Sequence, residues 1–272
     1  MSTGIEWTDE TWNPVTGCTK VSEGCDHCYA ERITNRFGGA GAFDKVVLHP
    51  ERLEQPLRWR KPRRVFVNSM SDLFHDAIPD ELIVQAFAVM AVTGEHTYQI
   101  LTKRPGRMAS LLQRMDADEQ FGTPRNRAME LVAERAAAGC RPEFPLPNVW
   151  LGVSVENQKW ANVRVPQLLE TPAVIRFLSC EPLLGPLDID AWLNEGEDIE
   201  DDAVIDWVIA GGESGPGARP MALAWARSIR DQCVEAQVPF FLKQLGGHPN
   251  KRGHDAAVLD GQRWIQFPEA RA

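Results

Sequence analysis

Three cysteines lie within eleven residues near the start of the chain, in the stretch TWNPVTGCTKVSEGCDHCYAERI (residues 11–33). Their spacing is C-x6-C-x2-C, and the thiols are those of Cys18, Cys25 and Cys28. A CxxC pair can place two thiolates on one ion, but a structural zinc site needs four ligands and the sequence has no second CxxC. Three thiolates with one open coordination position indicate a catalytic metal centre, such as a [4Fe–4S] cluster whose fourth iron binds an exchangeable ligand.

The composition predicts a globular protein of the cytoplasm. The 272 residues are 43% hydrophobic and 25% charged, which is sufficient for a sizeable core. No apolar run approaches the roughly 18 residues of a membrane span, and the polar start MSTGIEWTDE lacks the features of a signal peptide. Because disulfides are rare in the cytoplasm, the clustered cysteines favour metal binding. The isolated Cys140, Cys180 and Cys233 are expected to be small buried residues.

The charge distribution is acidic overall but basic in one place. A net charge of −9 argues against a protein that coats nucleic acid by bulk electrostatics. The stretch RWRKPRR (residues 58–64) nevertheless places five cations around Trp59, a mixture that suits a phosphate backbone with exposed bases. A solvated loop that leads into a buried strand is the other interpretation of this stretch.

Short runs of β-branched and aromatic residues predict strands that alternate with helices. The runs are apolar throughout, which is typical of strands covered on both faces of a sheet. The predicted strands are VFVNS (65–69), TYQILTK (97–103), VWLGVSVE (149–156), VIRFLSCE (174–181), DWVIAGGE (206–213) and PFFLKQLG (239–246), with one more near IEWTDETWNPV. The predicted helices between them span residues 81–92, 106–115, 160–170 (interrupted by Pro166) and 221–237.

This β-then-α alternation predicts an α/β fold with a parallel sheet and right-handed crossovers. A (β/α) barrel and a doubly wound open sheet both fit the order of elements. We favour a partial (β/α) barrel of about six to seven parallel strands, because polar residues follow nearly every strand and would converge at one barrel mouth. We expect a single domain over residues 1–272, with a helical insertion at 116–148 and a C-terminal extension from about residue 247.

The cysteine loop, placed after a first strand and before a helix and a barrel, resembles the radical S-adenosylmethionine (SAM) superfamily. That resemblance implies a [4Fe–4S] cluster whose unique iron chelates SAM, and whose electron cleaves SAM to a 5′-deoxyadenosyl radical that abstracts hydrogen from a substrate. The commonest spacing in the superfamily has three residues between the first two cysteines, whereas Cys18 and Cys25 are separated by six. The resemblance also implies a reductase or flavodoxin-type electron donor as a partner.

Strand-end residues are the candidates for contacts with the cofactor. His27 stands where the superfamily usually has an aromatic residue that touches the adenine. A GGE motif that grips the SAM amino group in the superfamily occurs here at residues 211–213. Lys103 and Arg104 could bind the SAM carboxylate or a substrate phosphate. The candidate cofactor-binding residues are His27, Ser69, Asp72, Lys103, Ser154, Glu156, Glu181, Gly211, Gly212 and Glu213. For the three glutamates, capping of the next helix is an equally good interpretation.

Seven further motifs resemble a largely uncharacterised family of three-cysteine proteins found in phages and prophages. These motifs are IEWT, TWNPVTGC, GC-x-x-CYAE, LTKRP, GVSVE, SCEPLLGP and GGESGPGARP, and they cover roughly residues 4–247. The likeness supports the radical SAM assignment but implies no substrate.

Two other functions stay open at this point. The three cysteines and an unidentified fourth ligand could hold zinc in a module that contacts nucleic acid through residues 58–64. Alternatively, the chain could be a phage-associated scaffold without chemistry. For the enzyme, the basic stretch favours a nucleotide or nucleic acid as substrate, and the acidic total charge counts against long duplex DNA.

Overall fold

The apolar runs of the sequence form one seven-stranded parallel sheet in the computed structural model, which describes residues 3–117, 134, 143–194, 203–247 and 252–269. Its strands are β1 (Glu10–Trp12), β4 (Arg64–Val67), β5 (Thr97–Thr102), β6 (Val149–Ser154), β7 (Ile175–Cys180), β8 (Trp207–Gly211) and β9 (Phe240–Gln244). Every residue of β6 is buried, as the uninterrupted apolar pattern predicts for a parallel strand. The predicted strands are confirmed.

The strands are ordered β1-β4-β5-β6-β7-β8-β9, which is the order of the chain. A doubly wound sheet would reverse its strand order at a switch point, and this sheet does not. The α/β class is therefore confirmed, and the strand order is compatible with a partial barrel.

Two pairs of short strands lie outside the main sheet. Strands β2 (Val15–Thr16) and β3 (Val47–Leu48) pair antiparallel, as do β10 (Val258–Leu259) and β11 (Gln262–Arg263). The sequence did not predict β2 and β3, because strands of two residues leave no periodic pattern.

The helices largely follow the predicted segments. They are α1 (Tyr29–Gly38), α2 (Asp80–Val92), α3 (Pro105–Ala117), α4 (Gln158–Leu169) and α5 (Leu223–Glu235). Helix α4 begins at an Asn157 cap, whose side-chain oxygen accepts from the backbone N–H of Trp160 (3.3 Å). The predicted interruption at Pro166 is wrong: α4 continues to Leu169. Pro166 lies in the last turn, and Asn162, whose carbonyl loses its partner, is exposed to water.

The chain divides into two compact units. The first unit comprises Met1–Thr19, Ala30–Leu151 and Thr171–Val174. Strand β4 pairs in parallel with both β1 and β5 in this unit, and its core includes Trp12, Val67 and Tyr98. Because these strands are parallel, the residues that follow β4 and β5 lie at one edge of the sheet.

The second unit comprises Lys20–Tyr29, Gly152–Glu170 and Ile175–Ala272. Strand β8 pairs in parallel with β7 and β9. The chain after Arg252 lies against β9, where the backbone N–H of Leu242 donates to the carbonyl of Trp264 (2.8 Å). The predicted helical insertion at 116–148 lies largely outside the described residues. None of the helices in the described part of the chain is both long and apolar enough to cross a bilayer.

Candidate functional site

Cys18 lies in the first unit, on the loop that leaves β2. The backbone N–H of Cys18 donates to the carbonyl of Phe43 (2.9 Å), and that of Gly17 donates to Met70 (3.0 Å). Gly17 has a φ of +87°, and a Cβ there would clash with the carbonyl of Lys45. Glycine is therefore required beside Cys18, whose thiol is half-buried.

Cys25 and Cys28 share one turn in the second unit. Cys25 ends a 3-10 turn (Glu23–Cys25), and the backbone N–H of Cys28 donates to the carbonyl of Cys25 (3.3 Å). Both thiols are free and half-buried. Helix α1 begins at the residue after Cys28, so the N-terminal end of the helix lies beside this turn.

The other described cysteines have a different environment. Cys180 and Cys233 are buried, as predicted. Burial, together with the nearby Cys233 and Glu156, raises the pKa of Cys180 well above its ordinary value. Burial raises the pKa of Cys233 to about 12. Burial therefore disfavours, in both residues, the thiolate form that binds metals. Cys140 lies outside the described residues.

The described His, Cys, Asp and Glu side chains do not form a site for a single metal ion. Within residues 3–117, 143–194, 203–247 and 252–269 there is no group of three His, Cys, Asp or Glu side chains arranged to hold a single metal ion. A structural zinc site would require such a group, because its ligands all lie about 2.0–2.3 Å from one centre.

Glu156, which follows β6, holds the turn that carries Cys25. Its side chain is fully buried; Oε1 accepts from the Ser22 hydroxyl (2.7 Å) and Oε2 from Arg164 Nη1 (2.8 Å). A Cβ on Gly24 would clash with this carboxylate, so glycine lets the turn approach Glu156 closely. The charge-assisted bonds offset the cost of burying both ions.

Glu23 fixes the same turn through contacts with the start of helix α4. Its carboxylate accepts from Asn157 Nδ2 (2.5 Å) and from Trp160 Nε1 (2.8 Å). The bonds from Trp160, the backbone and Asn157 lower the pKa of Glu23 to about 2. Residues at the start of α4 therefore anchor the segment between Cys18 and Cys25.

Glu213, which follows β8, bonds to both His27 and Arg219. Glu213 Oε2 lies 2.7 Å from His27 Nδ1, and Oε1 accepts from Arg219 Nη2 (2.6 Å). Arg219 Nη2 also donates to the carbonyl of Glu23 (2.8 Å). Burial alone would raise the pKa of Glu213, but Arg219 and His27 outweigh it and lower that pKa to about 2. An ionised Glu213 therefore connects the predicted GGE motif to His27, which lies between Cys25 and Cys28.

Glu181 and Lys243 form an ion pair at the ends of β7 and β9. Lys243 Nζ lies 2.7 Å and 2.8 Å from the two oxygens of Glu181, and Gln244 Nε2 donates to Oε1 (2.7 Å). Gly211 ends the intervening strand β8 without a side chain. A Cβ on Gly212 would clash with the backbone of Leu245, so this glycine permits close approach of the two strand ends.

Asp72 and Arg104 lie beside Cys18 in the first unit. Asp72 Oδ2 accepts from the backbone N–H of Lys103 (3.0 Å) and from Arg104 Nη1 (3.1 Å), and Oδ1 accepts from the Thr102 hydroxyl (2.7 Å). Arg104 Nη1 also donates to the sulfur of Cys18 (3.6 Å). Burial would lower the pKa of Arg104, but the charges of Asp72 and Cys18 raise it.

Asn68 follows β4 and has an unsatisfied side chain. It is 2% exposed, and neither its side-chain oxygen nor its nitrogen has a hydrogen-bond partner. Its φ of +58° is a conformation that asparagine tolerates better than most residues. A buried amide of this kind is normally satisfied by a ligand or water. The neighbouring Ser69 hydroxyl is bonded to Asn13 Oδ1 (3.2 Å).

The structure thus places the predicted residues in two local groups. The first unit holds Cys18 with Ser69, Asp72 and Lys103, and the second holds Cys25 and Cys28 with His27, Ser154, Glu156, Glu181, Gly211, Gly212 and Glu213. Several of these carboxylates bond to protein groups that fix the cysteine turn. Their contacts with a cofactor stay predictions.

Comparison with known proteins identifies a family. A family model described as "Protein of unknown function (DUF5131)" matches residues 2–268. The chain belongs to the DUF5131 family. A search of curated proteins and a search of solved structures found no match.

Sequence reasoning missed three groups that hold the cysteine turn of this DUF5131 protein. They are Ser22, Trp160 and Arg219, whose contacts join residues far apart in the chain. Arg219 had a usable signal, since it is the one cation of the GGESGPGARP motif and a single cation often pairs with a nearby acid. Ser22 and Trp160 had none, because a serine in a loop and a tryptophan in a helix are common.

The basic stretch of the DUF5131 chain lies at the other end of β4 from Asn68. Arg63 pairs with Glu10 (2.8 Å) and Arg64 with Asp9 (3.3 Å), while Arg58, Arg60 and Lys61 are exposed. The Arg63 guanidinium lies 5.4 Å from the centre of the Trp59 ring, so this ring is partly covered. Within the first unit the stretch and Cys18 therefore lie at opposite ends of the strands.

Proposed function

We propose that this DUF5131 protein is a radical SAM enzyme whose [4Fe–4S] cluster is held by Cys18, Cys25 and Cys28. The observation that carries the proposal is the contrast among the described cysteines. These three are half-buried and lie on loops that polar contacts hold in place. Cys180 and Cys233 are buried among apolar groups, with raised pKa values.

The donor set suits a cluster better than a single ion. Each cysteine of a cubane binds its own iron, so the three sulfurs need not surround one centre. A zinc ion would need four ligands at one point, and the described residues offer no group of three. Three thiolates also leave one iron open, which SAM requires.

When bound, the cluster would supply the electron that cleaves the sulfonium of SAM. The residues of the chain would hold the thiolates for it. Glu156 and Glu213 fix the turn of Cys25 and Cys28 through Ser22 and Arg219. Arg104 donates to the sulfur of Cys18 and places a positive charge beside it.

Asn68 joins the predicted cofactor contacts in this proposal. Its amide offers one acceptor and two donors, all without a protein partner. Such a group can pair with the amino and carboxylate groups of SAM or with its adenine edge. The Glu181–Lys243 pair is a second polar group at a strand end that could contact SAM or substrate.

The remaining assignments follow from the chemistry. A reduced cluster requires a reducing compartment, so we place the protein in the cytoplasm with a flavodoxin-type donor. We propose a nucleotide or a short nucleic acid as substrate, because the exposed cations of residues 58–64 suit phosphate groups. The position of residues 58–64 at the far end of β4 favours a role for them in orienting a larger substrate rather than in contacting the reacting atoms.

A zinc-binding module that contacts nucleic acid is the second candidate, favoured by the exposed Arg58, Arg60 and Lys61. Anaerobic purification separates the two functions. The enzyme predicts a brown protein with iron and sulfide that converts SAM to 5′-deoxyadenosine after reduction. A colourless protein with one zinc per chain supports the binding module and contradicts the enzyme.

A further inference from the structure

Helix α1 carries an exposed apolar stripe directly after the last cysteine. Tyr29, Ile33 and Phe37 lie four residues apart and expose 42%, 46% and 83% of their surfaces. The four-residue spacing places them on one face of the helix. In this fully described helix, Ala30 is the one buried residue. A row of large apolar side chains in water marks an interaction surface.

The charges of this face favour an acidic partner. Arg32 and Arg36 are exposed on the same helix, and the Arg36 guanidinium lies 5.8 Å from the centre of the Phe37 ring. Glu31, the one acid of α1, is half-buried. Because the whole chain carries a net charge of −9, an acidic protein would be repelled by most of its surface and attracted to exposed basic places such as this face.

The stripe is also close to the proposed cluster. Tyr29 follows Cys28 directly, and a helix rises about 1.5 Å per residue. Ile33 therefore lies about 7 Å, and Phe37 about 13 Å, along the helix from that ligand. Since electron transfer slows steeply with distance, a donor protein must dock near a cluster ligand, and α1 offers an exposed apolar surface there.

We propose that the exposed face of α1 is the docking surface for a small acidic electron-donor protein of the flavodoxin type. This inference rests on the proposed function. The donor's reduced flavin loses one electron and the oxidised cluster gains it, changing from the 2+ to the 1+ state. No bond forms or breaks, and no proton moves between the two proteins.

The test compares two routes of reduction in the cluster-loaded protein. Anaerobic stopped-flow absorbance follows cluster bleaching by photochemically reduced flavodoxin and, separately, by dithionite, which needs no docking. We expect Phe37→Ser and Arg36→Glu each to lower the second-order rate constant with flavodoxin about tenfold. The dithionite rate should stay within about twofold, and added salt should slow the flavodoxin reaction of the unaltered protein.

Matched controls are available on other surfaces. Val234, 54% exposed on α5, provides Val234→Ser as the apolar control, and Arg114, 61% exposed on α3, provides Arg114→Glu as the charge control. Neither should change the flavodoxin rate. Equal flavodoxin rates for the test and control variants overturn the inference. A fall in the dithionite rate that matches the fall in the flavodoxin rate also overturns it.

Two further outcomes are distinguishable. A wild-type dimer that Phe37→Ser converts to monomer in gel filtration shows that a second copy covers the stripe, and overturns the inference. A wild-type protein that assembles no cluster contradicts the proposed function itself, before any donor is added.

Discussion

Arg104 donates from one nitrogen, Nη1, to both the Cys18 sulfur (3.6 Å) and the Asp72 carboxylate (3.1 Å). The arginine side chain is only 9% exposed, so water screens these contacts weakly. Asp72 fixes the guanidinium and Arg104 in turn places a positive charge beside the sulfur. This arrangement stabilises negative charge on whatever the sulfur binds.

Replacing Arg104 by methionine should lower the reduction potential of the proposed cluster. Hydrogen bonds and positive charge near a cluster sulfur favour the reduced state, which is more negative. We expect the reduction equilibrium to fall about tenfold, or about 59 mV for one electron. A redox titration followed by electron paramagnetic resonance measures this. The control is Arg114→Met on helix α3, which begins directly after Arg104, since the Arg114 side chain is 61% exposed. An Arg104→Met midpoint equal to that of the control would refute the role.

Replacing Gly24 by alanine should prevent cluster assembly without unfolding the protein. The added methyl group would clash with the buried Glu156 carboxylate and displace the turn of Cys25 and Cys28. We expect the iron content of anaerobically reconstituted protein to fall several-fold. Gly94→Ala is the matched control, because a Cβ there meets nothing within 4 Å. Normal iron content in Gly24→Ala would show that the turn does not need this contact.

The Glu213 contacts should make the protein less stable in acid. The pKa of Glu213 is lowered from 4.5 to about 2 in the folded state, so its stabilisation is present above pH 4.5 and is lost as the pH falls towards 2. The full effect is about 3 kcal/mol. The free energies of unfolding of wild type and Glu213→Gln in urea should differ by a large part of this at pH 6 and by about 1 kcal/mol or less at pH 2.5. A difference that does not shrink in acid would contradict the ionised state of Glu213.

Replacing Asn68 by glycine should weaken SAM binding and leave the iron content unchanged. Glycine keeps the φ of +58° without strain and removes the amide. A lost hydrogen bond of about 1–1.5 kcal/mol corresponds to roughly tenfold weaker binding in equilibrium dialysis. Gly4, at an open position, provides Gly4→Ala as a control for small changes in loops. Unchanged SAM affinity in Asn68→Gly would remove Asn68 from the site.

The strands of the sheet were predictable because uninterrupted apolar runs indicate strands that are buried on both faces. VWLGVS is apolar throughout, and each of its residues is buried in β6. The order of elements then predicts the order of strands, since βα units place successive parallel strands side by side. The start of α3 was accurate because Pro105 marks it, whereas α4 begins at Gln158, two residues before the predicted start. Pro166 misled because the carbonyl that loses its partner belongs to Asn162, an exposed residue that water can reach.

The partners of the candidate residues were not predictable. Ser22 and Glu156 are separated by 134 positions, and no local pattern relates them. The sequence indicated that Glu156 and Glu213 follow strands, but not that Ser22, Arg164 and Arg219 would occupy their oxygens. Side-chain pairing at strand ends depends on the exact path of loops, which propensity and periodicity do not encode.

The most direct test of the proposed function is the iron and sulfide content of the protein purified without oxygen, with each cysteine of the described chain replaced by alanine in turn. The proposal predicts about four irons and four sulfides per chain in the wild type. Alanine at Cys18, Cys25 or Cys28 should abolish this content, and alanine at Cys180 or Cys233 should preserve it. A wild-type protein with zinc and no sulfide, or cluster content that survives the loss of Cys18, Cys25 and Cys28 together, would contradict the proposed cluster.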